Sequence, residues 1–286
     1  MEPQKKMRFG EGLMLIRMII HLIGGEDLSS PDLFLRLSQR KLWEEVVKFL
    51  NTFTQTHSVV TGSPGIGKTR SIAYLLLLLF KEKKFIIFEC RSKNIAFAFT
   101  PQNDGSYKVW ECDDFKANCC RILENPDYFY IVDLSKGSEK VLLFYAHTIV
   151  TASPRIMTGV KDFLARDGTK VFVMPVWKKE EVLAICPYIK INYNTISTDE
   201  ALSRFNIFGG RLQYIYALIL TRHLNNLVTS LSSFSVEELK HMIESPYTIQ
   251  VSNINPEIGP SMIFVYDEKQ STADYKYEMT PTNYTL

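Results

Sequence analysis

The chain has 286 residues, 46% of them apolar, which is length enough for one large domain or two ordinary ones with a core that needs no cross-links. Its formal charge of +2 is close to balance and gives no reason to expect wholesale nucleic-acid or membrane binding by bulk electrostatics, so any basic contact surface must be local. The five cysteines (Cys90, Cys112, Cys119, Cys120 and Cys186) are odd in number and lack zinc spacing, which reads as reduced thiols in an intracellular protein.

Residues 1 to about 30 read as a leader. Lys5, Lys6 and Arg8 precede an apolar stretch from Leu13 to Ile23, but Arg17 and His21 interrupt it and no small-residue cleavage site follows. An amphipathic or partly buried helix fits better than a secretory signal. Ser29-Ser30-Pro31 then opens a helical entry segment in which Leu42, Val46, Phe49 and Leu50 recur at helical spacing. No run reaches the ~20 apolar residues a membrane span needs, so no membrane contact is expected.

The next stretch decides the fold. A short apolar strand, Ser58 to Thr61, leads into a glycine loop, a helix from Lys68 to about Lys81, and a second strand, Phe85 to Cys90. Strand, loop, helix and strand with short connections make a βαβ unit, and parallel strands require that crossover. Ile95 to Thr100 and Tyr107 to Cys112 flank the turn signal Asn103-Asp104-Gly105, so a β-hairpin is expected at the edge of the sheet. A helix from about Asp114 to Leu123 leads to a buried strand, Tyr128 to Val132, ending in Asp133. Further strands are expected at His147 to Thr151 and Lys170 to Met174, with a helix over Thr158 to Arg166 between them. After Pro175 the pattern turns helical: Lys178 to Ile185, Thr198 to Phe205, Leu212 to His223 and Val236 to Glu244. Ser197 with Glu200 and Ser235 with Glu238 give capping-box spacing before two of these. The expected organisation is an entry segment over 1–50, a P-loop core of α/β class with a mainly parallel sheet over 51–177, a helical lid over 178–245, and a tail over 246–286.

Gly62-Ser63-Pro64-Gly65-Ile66-Gly67-Lys68-Thr69 matches G-x-x-x-x-G-K-[ST] and lies between a strand and a helix, where its mechanism requires. The glycines let backbone N–H groups turn toward phosphate oxygens, and the helix N-terminus at Lys68, Thr69 and Arg70 adds its dipole. Lys68 is placed to reach the β- and γ-phosphates and Thr69 to ligate magnesium, so the expected ligands are ATP and Mg2+. Asp133, at a strand end, is the candidate second carboxylate on the metal side; a helix cap or turn aspartate is the alternative. Leu134 occupies the place where many ATPases carry a water-polarising glutamate. Glu89 ends the strand after the P-loop helix and becomes a candidate base if that strand neighbours the P-loop strand; otherwise it is a surface glutamate. Thr151, Ser153 and Arg155 follow another strand, where a polar group senses a γ-phosphate and an arginine neutralises charge, or where a Ser-Pro turn simply carries a solvated arginine. Arg211 reads either as a lid contact to nucleotide or as an exposed helix-start arginine.

Taken in order, these residues resemble the P-loop NTPases of trypanosomatid retrotransposon hot spot proteins and crinkler effectors. The loop Thr61 to Thr69 is similar to that family's G-x-P-G-I-G-K-[ST]; Thr151-Ala152-Ser153-Pro154-Arg155, Met174-Pro175-Val176-Trp177 and Phe208-Gly209-Gly210-Arg211 look like its later motifs. Where the family continues Phe-Gly-Gly-x with proline-arginine, this chain has Leu212-Gln213. The resemblance covers roughly Ser30 to Glu244. It implies an ATPase coupling nucleotide state to a protein partner, with nucleic-acid machinery as the partner by analogy, and a nuclear, cytoplasmic or host-delivered location. A nucleotide-binding switch or effector module without significant turnover is the other reading, and Leu134 favours it.

Overall fold

The computed structural model describes residues 5–7, 34–52, 56–92, 94–112, 120–134, 140–153, 160–191 and 194–217, with short pieces at 221, 224–225, 228–229, 232, 235–237, 265–266 and 279–280. Contacts divide the chain into two compact units, Met1–Thr61 with Lys68–Phe172, and Gly62–Gly67 with Val173–Leu286.

The first unit is built on one sheet. Its strands are β1 (Lys5–Met7), β2 (His57–Thr61), β3 (Ile86–Cys90), β4 (Ile95–Pro101), β5 (Tyr107–Glu111), β6 (Phe129–Asp133), β7 (His147–Thr151) and β8 (Thr169–Val173, whose last residue belongs to the second unit), in the order β1-β5-β4-β3-β6-β7-β2-β8. The pairs β3–β6, β6–β7 and β7–β2 are parallel. Every residue of β2, β6 and β7 is buried, the His, Ser and Thr positions of β2 and β7 included, as in central strands covered on both faces. The expected hairpin is present: β4 and β5 run antiparallel beside β3, and Asp104 holds the turn by accepting from the Ser106 N–H at 3.1 Å, with Gly105 at φ +78. β1 adds a further antiparallel strand to β5, in the basic start of the stretch read from sequence as a leader and ahead of the Leu13 to Ile23 run expected to be helical. Three residues carry too little pattern to announce a strand.

Helix α1 (Leu37–Leu50) turns Trp43, Val46 and Leu50 inward, and α2 (Lys68–Lys81) buries Ile72, Leu75, Leu76, Leu79 and Phe80. Tyr107 of β5 pins the end of α2, donating to the Phe80 and Lys84 carbonyls at 3.3 and 3.1 Å. The two faces of the sheet follow from the period of two along a strand. Ile87, Tyr130, Val132, Leu134 and Val150 join one apolar cluster with Phe163 of the short helix α3 (Lys161–Leu164). Cys90, Asp133 and Thr151, one residue out of step with that set, are paired in register on the other face.

Within the second unit lie α4 (Lys179–Ile185), a two-residue ladder of β9 (Lys190–Ile191) and β10 (Asn194–Thr195), α5 (Thr198–Phe208) and α6 (Leu212–Ile215). The Ser197 cap is as expected: its hydroxyl accepts from the Glu200 N–H at 3.1 Å. α5 runs three residues past the sequence estimate and stops at Gly209, φ +61. The helix expected over Thr158 to Arg166 narrows to Lys161–Leu164 among described residues, and that expected from Leu212 leaves helical geometry at Tyr216. The helices expected over Asp114 to Leu123 and Val236 to Glu244 lie mostly outside the described residues; Ile122–Glu124 is a 3-10 turn.

Candidate nucleotide-binding site

The glycine loop belongs to the second unit and continues across the Gly67–Lys68 peptide bond into α2. Gly62, Gly65 and Gly67 take φ +143, +79 and +95. At Gly65 a side chain is excluded twice: the dihedral is left-handed, and an added Cβ would sit 2.8 Å from the Gln213 Cβ.

Three consecutive carbonyls of this loop accept hydrogen bonds from the same unit. Arg211 Nε donates to Pro64 O at 3.1 Å, the Gln213 backbone N–H to Gly65 O at 3.1 Å, and Trp177 Nε1 to Ile66 O at 3.0 Å. No peptide bond among the described residues is cis, and a trans planar peptide directs its N–H opposite to its C=O. The N–H groups of Gly65, Ile66 and Gly67 therefore face away from those donors, as an anion-binding nest requires.

The donors are themselves fixed. Arg211 is only 2% exposed and its guanidinium lies 3.9 Å from the Tyr214 ring centroid. Trp177 N donates to Gly210 O at 3.1 Å, and an added Cβ at Gly210 would lie 1.9 Å from Trp177 O. Thus in Phe208-Gly209-Gly210-Arg211 the first glycine ends α5 and the second admits the Trp177 backbone. The exposed helix-start reading of Arg211 is corrected: its side chain is buried and bonds the loop.

In the first unit, Thr69 and Asp133, 64 residues apart, meet at the carboxyl ends of the parallel strands, the edge where open α/β sheets collect ligands. Thr69 Oγ1 donates to Asp133 Oδ2 at 2.9 Å, and the Thr151 hydroxyl donates to Asp133 Oδ1. Asp133 is 7% exposed. Burial pushes its carboxyl above the usual range, against the two threonine hydrogen bonds and the nearby Lys68 charge. Lys68 and Thr69 are half-buried and Arg70 is exposed at the head of α2.

The adjacency that would make Glu89 a base is not met. β7 and β6 stand between β2 and β3. Glu89 is in register with Val132, one residue off the Cys90–Asp133 pair, so it emerges on the face opposite Asp133. There it accepts from the Tyr130 hydroxyl and pairs with Arg91 Nε at 3.1 Å. Strands consecutive in the chain, β2 and β3, are not neighbours in this sheet. Leu134 is 5% exposed, within the apolar cluster on Glu89's side of the sheet. Ser153 is half-buried two residues past Thr151, and Arg155 lies outside the described residues.

Nothing in the sequence marks Trp177 and Gln213 as carbonyl donors. The motifs around Trp177 and Gly209-Gly210 were the available signal, but neither names a loop carbonyl as its target. Among the described residues no cluster of three or more His, Cys, Asp or Glu side chains is arranged to hold a metal, and no helix is long and apolar enough to cross a membrane.

No protein-family model matches the chain. Crinkler effector proteins 16 and 15 of Phytophthora infestans are each 27% identical to it over 208 residues, 72% of this chain and 32% of theirs. The chain thus spans about a third of the length of these relatives. The crinkler side of the resemblance read from ordered motifs is matched by this distant overall similarity. Among solved structures, the S. cerevisiae Hsp104-ADP complex is similar at TM-score 0.42 and 10% identity, covering 80% of this chain and 37% of that one. A DNA replication initiation factor is similar at TM-score 0.39 and 13% identity, covering 82% and 81%.

Proposed function

We propose that this chain binds a magnesium–nucleoside triphosphate, ATP by preference, through residues 62–69, as a P-loop NTPase of the crinkler and retrotransposon hot spot type. The observation that carries the reading is the hydrogen bond from Thr69 to the buried Asp133. It brings the hydroxyl that ends the glycine motif to a strand-end carboxylate, the pair of hard oxygen donors that magnesium takes alongside phosphates. The donor set fits that ion better than one needing an all-protein cage, because the described residues hold no cluster of three or more His, Cys, Asp or Glu side chains.

In this reading the loop N–H groups and Lys68 bind the phosphate chain, while Thr69 and Asp133 hold the ion. Bound magnesium would supply charge neutralisation across the β- and γ-phosphates. Thr151 holds the Asp133 carboxylate in place, and Ser153 and Arg155 follow it on the chain as candidate phosphate-sensing and charge-neutralising groups. Residues 51–177 serve as the nucleotide core and 178–245 as the helical region that passes nucleotide state to a protein partner.

Slow turnover is the second reading, and a specific observation favours it: Glu89 is on the far face of the sheet and position 134 is a buried leucine. Neither supplies a base beside Asp133.

Calorimetry with ATP in magnesium and in chelator, joined to a phosphate-release assay, tests both readings. Binding that tightens with magnesium and turnover far below one per second are expected. A chain that binds no nucleotide under either condition defeats the assignment, and brisk turnover defeats the slow-switch reading.

A further inference from the structure

A loop with glycines at three of its six positions has many conformations open to it, and a phosphate pays for each one that must be given up. Here the outer side of the loop is held along three successive peptides. Arg211 Nε, the Gln213 N–H and Trp177 Nε1 hold Pro64, Gly65 and Ile66 O within 3.0–3.1 Å. Two of these donors are side chains with no direct route to a ligand role through those atoms. Trp177 is 4% exposed and its indole N–H is committed to a carbonyl, and Arg211 is 2% exposed against Tyr214.

Each bond also orients a group on the other side of the same peptide. Fixing Pro64 O fixes the Gly65 N–H; fixing Ile66 O fixes the Gly67 N–H. Preset donors lose no freedom when an anion arrives, which is why preorganisation raises affinity without adding any contact to the ligand.

We propose that Trp177 and Arg211 are positioning residues for phosphate binding, setting the loop N–H groups toward the phosphate chain by holding the Ile66 and Pro64 carbonyls from behind. The proposal rests on the nucleotide reading above. It adds that the affinity of the loop is set by residues more than a hundred positions downstream, at the junction ahead of α4 and at the start of α6. Whatever displaces that segment loosens the phosphate site without touching the nucleotide.

Three variants test it: Trp177→Phe keeps an aromatic ring and removes the N–H, Arg211→Met keeps the aliphatic stem and removes the donors, and Arg211→Lys returns one donor. Affinity is measured by calorimetry for Mg-ATP and for inorganic tripolyphosphate, at a temperature well below each melting point, alongside the amide resonances of Gly65 and Gly67. Trp177→Phe and Arg211→Met should each weaken both probes about tenfold, the effect of losing a buried hydrogen bond that sets a binding geometry. Arg211→Lys should recover part of the loss, and the two amide resonances should move before any ligand is added. Variants that melt lower yet bind both probes as the wild type does would leave these residues a purely structural role and overturn the proposal. A wild-type chain that binds neither probe removes the nucleotide reading itself, and this proposal with it.

Discussion

The strand-end cluster and the glycine loop hold opposite chemical resources. At the strand ends the work falls to side chains: a buried carboxylate between two threonine hydroxyls, with a lysine charge nearby. In the loop it falls to the backbone, held by a tryptophan, an arginine and a main-chain N–H. A side-chain site is deleted by one substitution of a motif residue. A backbone site is loosened from outside by residues that never meet the ligand, so the two regions should fail in different ways.

The largest effect belongs to the side-chain resource. Lys68→Ala should weaken Mg-ATP binding at least about a hundredfold, since it removes a charge-assisted contact to phosphate. The melting curve should barely move, because the half-buried lysine is not part of the core. Near-wild-type affinity with an unchanged curve would show that the motif lysine does not read phosphate.

Next comes the backbone resource, attacked at its tightest point. Gly210→Ala puts a methyl group where Trp177 O stands 1.9 Å away, so Trp177 or the chain after α5 must shift. The expected result is a stability loss of about 2–4 kcal/mol together with weaker nucleotide binding. A thermal melt and an ATP titration check it. If stability falls while affinity holds, the link between Gly210, Trp177 and the loop is broken.

Asp133→Asn should have a smaller and more selective effect, about tenfold on binding in magnesium and little in chelator, because the carboxylate acts through the ion. The same carboxylate gives a pH signature. Burial raises its pKa in the folded chain, and only the ionised form ligates a cation. Magnesium-dependent affinity should therefore fall with decreasing pH from a point above the usual carboxylate range, whereas the Asn variant should show no such magnesium-specific loss. Equal pH curves for the two proteins would make Asp133 structural.

What could be read in the sequence tracks the same division. The parallel core, the hairpin at Asn103-Asp104-Gly105 and the Thr69–Asp133 pairing were legible because local pattern, turn chemistry and motif spacing all bear on them. The order of strands across the sheet was not. Period and turn signals say which residues form a strand and which face each residue takes, but not that β6 and β7 separate β2 from β3. The carbonyl clamp was hidden for a related reason. A backbone acceptor leaves no mark on the loop sequence, and its two side-chain donors lie 111 and 147 residues from their targets.

Glu89→Gln should have the smallest effect on function, and it isolates the error that chain order invites. From the sequence, Glu89 ends the strand after the P-loop helix and is a natural candidate base. In the fold it shares a face with Tyr130, whose hydroxyl it accepts, and its ion pair with Arg91 is largely shielded, at 16% and 13% side-chain exposure. Glutamine keeps an acceptor for the tyrosine and loses only the charge opposite Arg91. The expected outcome is a stability loss of about 1 kcal/mol, with ATP affinity and phosphate release within about twofold of wild type. Measured against Asp133→Asn under the same conditions, this separates the two faces of the sheet. A tenfold or larger fall in phosphate release, with the melting curve intact, would mean that the carboxylate works across the sheet and that the face assignment is wrong.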